Sequence, residues 1–342
     1  MNLKELSKSL GLSPATVSRA LGGYPEVNAK TRQRVEEAAK RHNYHPNMRA
    51  RSLATGRSFA AGHVIPISTQ HEMVNPIFAD FIAGAGEVYS AHGYDMMLSV
   101  VSDENEERAY RDLAAKRSVD GVIVHGPQLN DNRIGLLKEI GLPFVVHGRA
   151  NYPDNTYSWV DVNNRSAFRR ATDFLLDLGH QRIALLNGNE QMMFAYRRRI
   201  GYEEALAARN VALDPALLRS DEMTEPYGFA AVSELLDLPV PPTAFLTASI
   251  IAAIGARRAV QERGLVLGRD ISIITHDDEL SYLSDSGDVP MFTSTRSSVR
   301  EAGSICAKFL LDVIRNPDAA PRGDLLEAQL VVGASTGIAP SS

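Results

Sequence analysis

Leu3, Leu6 and Leu10 recur at helical spacing, with Lys4, Glu5, Ser7, Lys8 and Ser9 between them, the pattern of an amphipathic helix. Gly11 is placed to end it, because glycine accepts the positive φ of a helix C-terminus. Ser13-Pro14 predicts a new start: serine caps, and proline is tolerated at the first helical position, where its missing N–H would have no partner. The second helix then runs from Pro14 with Val17 and Leu21 inward, and Gly22-Gly23 stops it. Asn28 is placed to cap a third helix, with Val35, Ala38 and Ala39 on its dry side and Lys30, Arg32, Arg34 and Lys40 on its wet side. From about residue 60 the period changes. Apolar runs at 61–67, 94–100, 121–124 and 143–146 read as strands, separated by helical stretches at 78–93, 105–117 and 134–140. The alternation returns with strands at 182–186, 244–246 and 271–274 and a helix at 201–208. Such alternation predicts parallel α/β sheets. Two lobes of this kind would hold a ligand between them, outside the carboxyl ends of the strands.

Two short helices joined by a tight glycine-containing turn form a helix-turn-helix, whose second helix enters the major groove. Its leading residues are Pro14, Ala15, Thr16, Ser18 and Arg19. Serine and threonine can bond phosphates or bases, alanine can touch a thymine methyl, and arginine can grip guanine with two bonds. The pattern alone also fits a plain helical hairpin. Charge adds to the picture: residues 1–60 hold 11 Lys+Arg against 4 Asp+Glu, a net +7, and the remainder carries 25 against 37, or −12. A basic head on an acidic body suggests one end that meets a polyanion. No apolar run is long enough to span a bilayer and no signal-peptide pattern opens the chain. The single cysteine, Cys306, cannot make an intrachain disulfide, which fits a reducing cytoplasm. Neither a phosphate-loop pattern nor a nucleophile elbow is present, and the nine histidines lack metal-site spacing. No enzyme activity, cofactor or metal is expected.

Residues 3–23, the run Val27-Asn28-Ala29-Lys30-Thr31-Arg32 and the run Asn43-Tyr44-His45-Pro46-Asn47 resemble the headpiece of the lactose/galactose repressor (LacI/GalR) family. The Thr-Val-Ser-Arg core at 16–19 is specific in this setting. The resemblance implies double-stranded operator DNA as a partner. In the family, the two positions after the turn serine, here Pro14 and Ala15 after Ser13, read sequence, with Arg19 a third reader. Pro14 and Ala15 carry no side-chain donor, which shifts direct polar readout to Arg19. The expected DNA surface also includes Thr16, Ser18, Thr31, Asn47 and Arg51, with Lys30, Arg32 and Tyr44 fixing the backbone. Residues 47–57 read as a short helix, which the family folds on DNA and pairs with its dimer mate. Leu53 matches the leucine that wedges into the minor groove.

The body resembles the family too, through Asn75-Pro76-Ile77-Phe78, 119–123, 178–184, 271–278 and 330–336. The implied architecture is a small all-α helix-turn-helix headpiece (1–46), a hinge helix (47–57) and an α/β two-lobed periplasmic-binding-protein-like (type I) sensor domain (58–337), with a tail at 338–342. No leucine heptad follows, so a homodimer is expected. Arg198 aligns with the family arginine that bonds effector hydroxyls; its neighbours Arg197 and Arg199 leave the register open by one, and the bland alternative is a solvated basic patch. Asp277 aligns with the effector-binding aspartate, against a plain helix cap. His125 follows a strand at a ligand-binding position, and Phe78 either stacks on the ligand or fills core. Gly148 stands where many members carry an aspartate, and Ser249-Ile250 replaces an Asn-Asp pair, so a lactose-type pocket does not carry over. His147-Gly148-Arg149 resembles regulators of α-glucoside genes, which implies that Arg149 faces the sugar. The expectation is a repressor of carbohydrate-utilisation genes released from its operator by a small sugar. A repressor sensing a phosphosugar or nucleobase as corepressor, and a soluble sugar-binding protein, stay open.

Overall fold

A computed structural model describes residues 1–22, 24–44, 55–66, 75–153, 156–283 and 288–340. The chain divides into two compact units, Met1–Phe59 and Ala60–Ser342.

The first unit holds helices α1 (Leu3–Leu10), α2 (Pro14–Leu21) and α3 (Ala29–Arg41). Their ends are set by local chemistry. Asn2 and Glu5 form a reciprocal capping box on α1, and Gly11 closes it at φ +66°. Ser13 Oγ accepts from the Thr16 N–H at 3.1 Å, and Asn28 Oδ1 accepts from the Thr31 N–H at 2.8 Å. Each cap satisfies a backbone donor that the first helical turn cannot. Leu6, Val17 and Val35 are fully buried at the centre of the three-helix core, and burying each side chain stabilises by roughly 1.5–3 kcal/mol. Leu21, expected inside, packs at the rim.

The second unit contains two six-stranded sheets. The first has strands β1 (Ala60–Pro66), β2 (Asp95–Val101), β3 (Gly121–His125), β4 (Phe144–His147), β5 (Ser158–Val162) and β11 (Gly323–Leu326), in the order β11-β5-β4-β3-β1-β2. The second has β6 (Ile183–Asn187), β7 (Leu218–Ser220), β8 (Ala244–Thr247), β9 (Ser272–Asp277), β10 (Thr293–Arg296) and β12 (Gln329–Val331), in the order β12-β10-β9-β8-β6-β7. Pairing is parallel except between β10 and β12. Central strands such as β8 are buried at every residue, as sheets covered on both faces require. Three closely packed helix pairs flank them: α4 (Pro76–Ala91) with α11 (Val299–Arg315), α7 (Asn164–Asp177) with α8 (Met193–Ala208), and α9 (Glu225–Leu236) with α10 (Ile250–Glu262). Glycines permit the close approach. A Cβ at Gly255 would collide with the Glu225 carbonyl, and one at Gly228 with that of Ala252. The chain crosses between lobes after β5, after β10, and between β11 and β12, which lie in different sheets.

Candidate functional site

On the headpiece, Ser13, Pro14, Ala15, Ser18, Arg19 and Lys30 are exposed, and Thr16 and Thr31 are half-buried. The start of α2 therefore offers a short, mostly uncharged edge with Arg19 one turn on. The Ser13 and Thr16 hydroxyls bond each other at 2.8 Å. Arg32 differs from the expectation of a backbone clamp. Its Nη2 donates to the carbonyls of Tyr24 at 2.7 Å and Val27 at 3.4 Å, so it pins the α2–α3 connection. Tyr44 lies against the core, and burial raises its phenol pKa. Asn47, Arg51 and Leu53 lie outside the described residues.

In the body, the loop after β3 pairs with the segment before α8. The Met193 N–H donates to Pro127 O and the Leu129 N–H to Gln191 O, each at 2.9 Å. Two side-chain ties also cross between lobes. Asp80 on α4 accepts from the Ser281 N–H at 2.7 Å and the Ser281 hydroxyl at 2.6 Å. Asp161, at the end of β5, accepts from Arg197 Nη1 at 3.0 Å.

Of the three consecutive arginines, Arg198 is the buried one, 6% exposed. Arg199 is held by Glu190 and Glu203. Arg198 donates through Nε to Asn164 Oδ1 at 2.7 Å and through Nη1 to Ala248 O at 2.6 Å. Its guanidinium lies 5.1 Å from the Phe168 ring centre and 5.0 Å from that of Phe194. Burial pulls its pKa down to about 10, against the opposing charges of Asp278 and Asp161. Nη2 has no protein partner among the described residues, which leaves a charged donor for a ligand. Arg149 lies 3.7 Å from Asp161 and 5.1 Å from the Trp159 ring. Burial raises Asp161 to about 6, despite Arg197 and Arg149 beside it.

His125 is half-buried. Its ring lies 5.2 Å from Phe78, 4.9 Å from Phe81 and 6.0 Å from His147. Phe78, also half-buried, thus joins His125 rather than a deep core. Asp277 is taken up by its own lobe: its Oδ1 caps the Glu279 N–H at 2.9 Å and its Oδ2 accepts from Arg296 at 3.0 Å. The carboxylate coupled to the cleft is the next residue. Burial works to raise the Asp278 pKa, but His276, Arg198 and His147 outweigh it and lower it. Gly148 explains its own departure from the family pattern. It sits at φ +105°, and a Cβ there would lie 2.6 Å from Pro127 Cδ, so no side chain fits.

Phe78, His125 and Arg198 are therefore joined by groups that the sequence reading did not single out: His63, Asp161, Asn164 and Asp278. A carboxylate inside the apolar run Trp159-Val160-Asp161-Val162 was the one available signal. Chemically, the region offers aromatic faces, imidazoles and arginines whose charge is largely matched by carboxylates. That suits hydroxyl groups better than a dianion.

Residues 2–47 match the family model described as bacterial regulatory proteins, lacI family, and residues 172–336 match a periplasmic binding protein-like domain. The HTH-type transcriptional regulator AglR of Rhizobium meliloti (strain 1021) is 45% identical over 340 residues, covering 99% of this chain and 95% of the relative. Among solved structures, the transcriptional regulator CelR in complex with cellobiose is similar at TM-score 0.72 and 29% identity, covering 98% of this chain and 99% of that one. The lac repressor dimer bound to operator and the anti-inducer ONPF aligns at TM-score 0.78 and 26% identity, with the same coverage.

Proposed function

The chain belongs to the lacI family of bacterial regulatory proteins, and from that premise we propose that it is a homodimeric repressor of carbohydrate-utilisation genes released from its operator by a neutral sugar. It is a transcription regulator with a helix-turn-helix headpiece and a periplasmic-binding-protein-like domain, not an enzyme. The observation that carries the sugar reading is the charge balance of the cleft. Asp161 sits against Arg197 and Arg149, and Asp278 is coupled to Arg198. A phosphorylated effector would want several uncompensated cations. The likeness to a regulator bound to cellobiose supports the same class. Among neutral sugars, α-glucosides come first, because of the His147-Gly148-Arg149 run.

In this reading Arg198 Nη2 and the His125 imidazole meet effector hydroxyls, and Phe78 lies against an apolar ring face. Asp277 is set aside as a contact in favour of Asp278. Each headpiece reads half of a near-palindromic operator through Arg19 and the start of α2, in the cytoplasm where the DNA lies. The dimer reading is supported by edge strand β2, which exposes Met97, Leu98 and Val100, an apolar edge that a lone chain would have to protect. Effector binding needs to couple to operator release by only about 1–3 kcal/mol.

The test is a thermal-shift panel of neutral mono- and disaccharides, sugar phosphates and nucleobases, since a ligand specific to the folded state raises the melting temperature. A neutral sugar that stabilises the protein and lowers operator affinity supports the reading. Stabilisation by a phosphosugar or nucleobase alone overturns the effector class and keeps the regulator.

A further inference from the structure

His63 lies in the middle of β1 and is fully buried. Its Nδ1 is 2.9 Å from His125 Nε2, and the two rings stack at 5.2 Å and 24°. Its other nitrogen, Nε2, is buried without a hydrogen-bond partner among the described residues. Around it stand Phe81 at 6.5 Å and Tyr89 at 5.9 Å, both edge-on in arrangement.

Burial holds His63 neutral, with its pKa down to about 3, and also lowers His125. Two neutral imidazoles share one proton between Nδ1 and Nε2, so their tautomers are coupled. Suppose His125 donated from Nε2. His63 would then carry its proton on Nε2, a buried N–H with nothing to bond. Suppose instead His63 donates from Nδ1. The orphan is then a lone pair, and buried unpaired donors are rarer in proteins than under-satisfied acceptors. The second arrangement also puts the proton of His125 on its Nδ1, which has no protein partner among the described residues but, unlike His63 Nε2, is not a buried atom.

We propose that His63 is a positioning residue for effector recognition: donating from Nδ1, it fixes His125 as the Nδ1–H tautomer, so the cleft presents an N–H donor to a hydroxyl or ring oxygen of the ligand. Its link to the ligand rests on the reading that His125 contacts the effector. His63 itself touches no ligand. The consequence is specificity for an acceptor at that point: an ammonium group, which has only donors, is excluded there.

The test has two parts on the full chain. The first needs no effector. Two-dimensional proton–nitrogen spectra of the imidazoles in ligand-free protein, with His125 assigned by loss in His125→Gln, should show His125 protonated on Nδ1. His63→Asn, which places an amide donor near the same position, should preserve that tautomer. His63→Leu should shift it toward Nε2–H. Native His125 protonated on Nε2 overturns the proposal. The second part measures affinity for the neutral sugar that stabilises the protein most. It should fall roughly fivefold to tenfold in His63→Leu, the scale of one hydrogen bond, and recover in His63→Asn, with operator affinity in the absence of sugar unchanged in both. Equal losses in the two variants mean packing alone and also overturn it. If His63→Leu does not fold, the native tautomer and His63→Asn still decide. If no sugar binds at all, the effector reading fails while the tautomer measurement stands by itself.

Discussion

Replacing Arg198 with methionine should damage effector binding far more than folding. Methionine keeps an unbranched stem between Phe168 and Phe194, where its sulfur can rest on the rings. What disappears is a cation with bonds to Asn164 at 2.7 Å and Ala248 at 2.6 Å. Hydrogen bonds to a charged group contribute about 1.5–3 kcal/mol each, so two amount to roughly 3–6 kcal/mol. Against this stands the burial of the charge. Net of the opposing pull of Asp278 and Asp161, it moves the pKa from 12.5 to about 10, a difference worth ~3 kcal/mol that the variant recovers. The two terms nearly offset, and net destabilisation should be about 0–3 kcal/mol. Nothing offsets the loss of Nη2 to a ligand. One charge-assisted bond there is worth ~1.5–3 kcal/mol, or roughly 10- to 150-fold in affinity. Calorimetric titration with the best stabilising sugar reads the affinity, and urea unfolding reads the stability. Affinity within threefold of the native value in a folded variant would refute the role of Arg198. A stability loss well above 5 kcal/mol would refute the balance of terms.

On DNA, Arg19→Ala should weaken specific operator binding by about 1–3 kcal/mol while barely changing non-specific binding, whereas Lys30→Ala should lower both and reduce the salt slope by about 1. Fluorescence anisotropy across salt concentrations separates them, and equal losses for Arg19→Ala at operator and random DNA would remove its reading role. Asp161 should tilt stability with pH, because its folded pKa of about 6 lies above the ordinary 3.8. Below 3.8 both states are protonated and there is no penalty; through the window to about 6 the unfolded chain ionises first, so stability falls as pH rises, and above it the penalty is constant. Urea unfolding from pH 4 to 7 should show this downward slope in the native chain relative to Asp161→Asn, and a difference that is flat or rises contradicts it. Gly255→Ala should lower the melting temperature by several degrees, since its Cβ would meet the Glu225 carbonyl and overpacking costs about 1–3 kcal/mol or more; an unchanged midpoint in a calorimetric scan would show that α9 and α10 can separate freely.

The headpiece was legible because its signals are local. Gly11, Ser13 and Asn28 act within three or four residues, and each does what its chemistry suggests. The strands β1, β3, β4, β6, β8 and β9 were legible as apolar runs. The helices α9 and α10 carry no clear periodic signal in the sequence, and α7 is not among the elements expected from it. In α10, Ala252, Ala253, Gly255, Ala256 and Ala259 form the buried side, and small residues give a faint periodic signal. The apolar pattern places the start of α8 at 201, whereas the helix begins at Met193, because Arg197, Arg198 and Arg199 break that pattern. In the fold one finds Asp161 and another finds acidic neighbours, while Arg198 is buried among rings. The site divides along the same line. Arg198 could be found by its alignment with the family arginine, but the Asp161–Arg197 pair spans 36 residues and the His63–His125 pair 62. Such partners are created by strand order, which no local pattern encodes.

The way the chain threads the two lobes bears on how the protein is made. The headpiece is one continuous stretch, complete with its own core by residue 59. The first lobe is not: its sheet ends in β11 at Gly323–Leu326, and α11, which covers β3, β4 and β5, begins only at Val299. At synthesis rates of ~10 residues per second, roughly half a minute separates the two events on the ribosome. During that interval a nascent chain carries a finished DNA-reading head and an unfinished sensor, so head and sensor must mature in that order in every molecule.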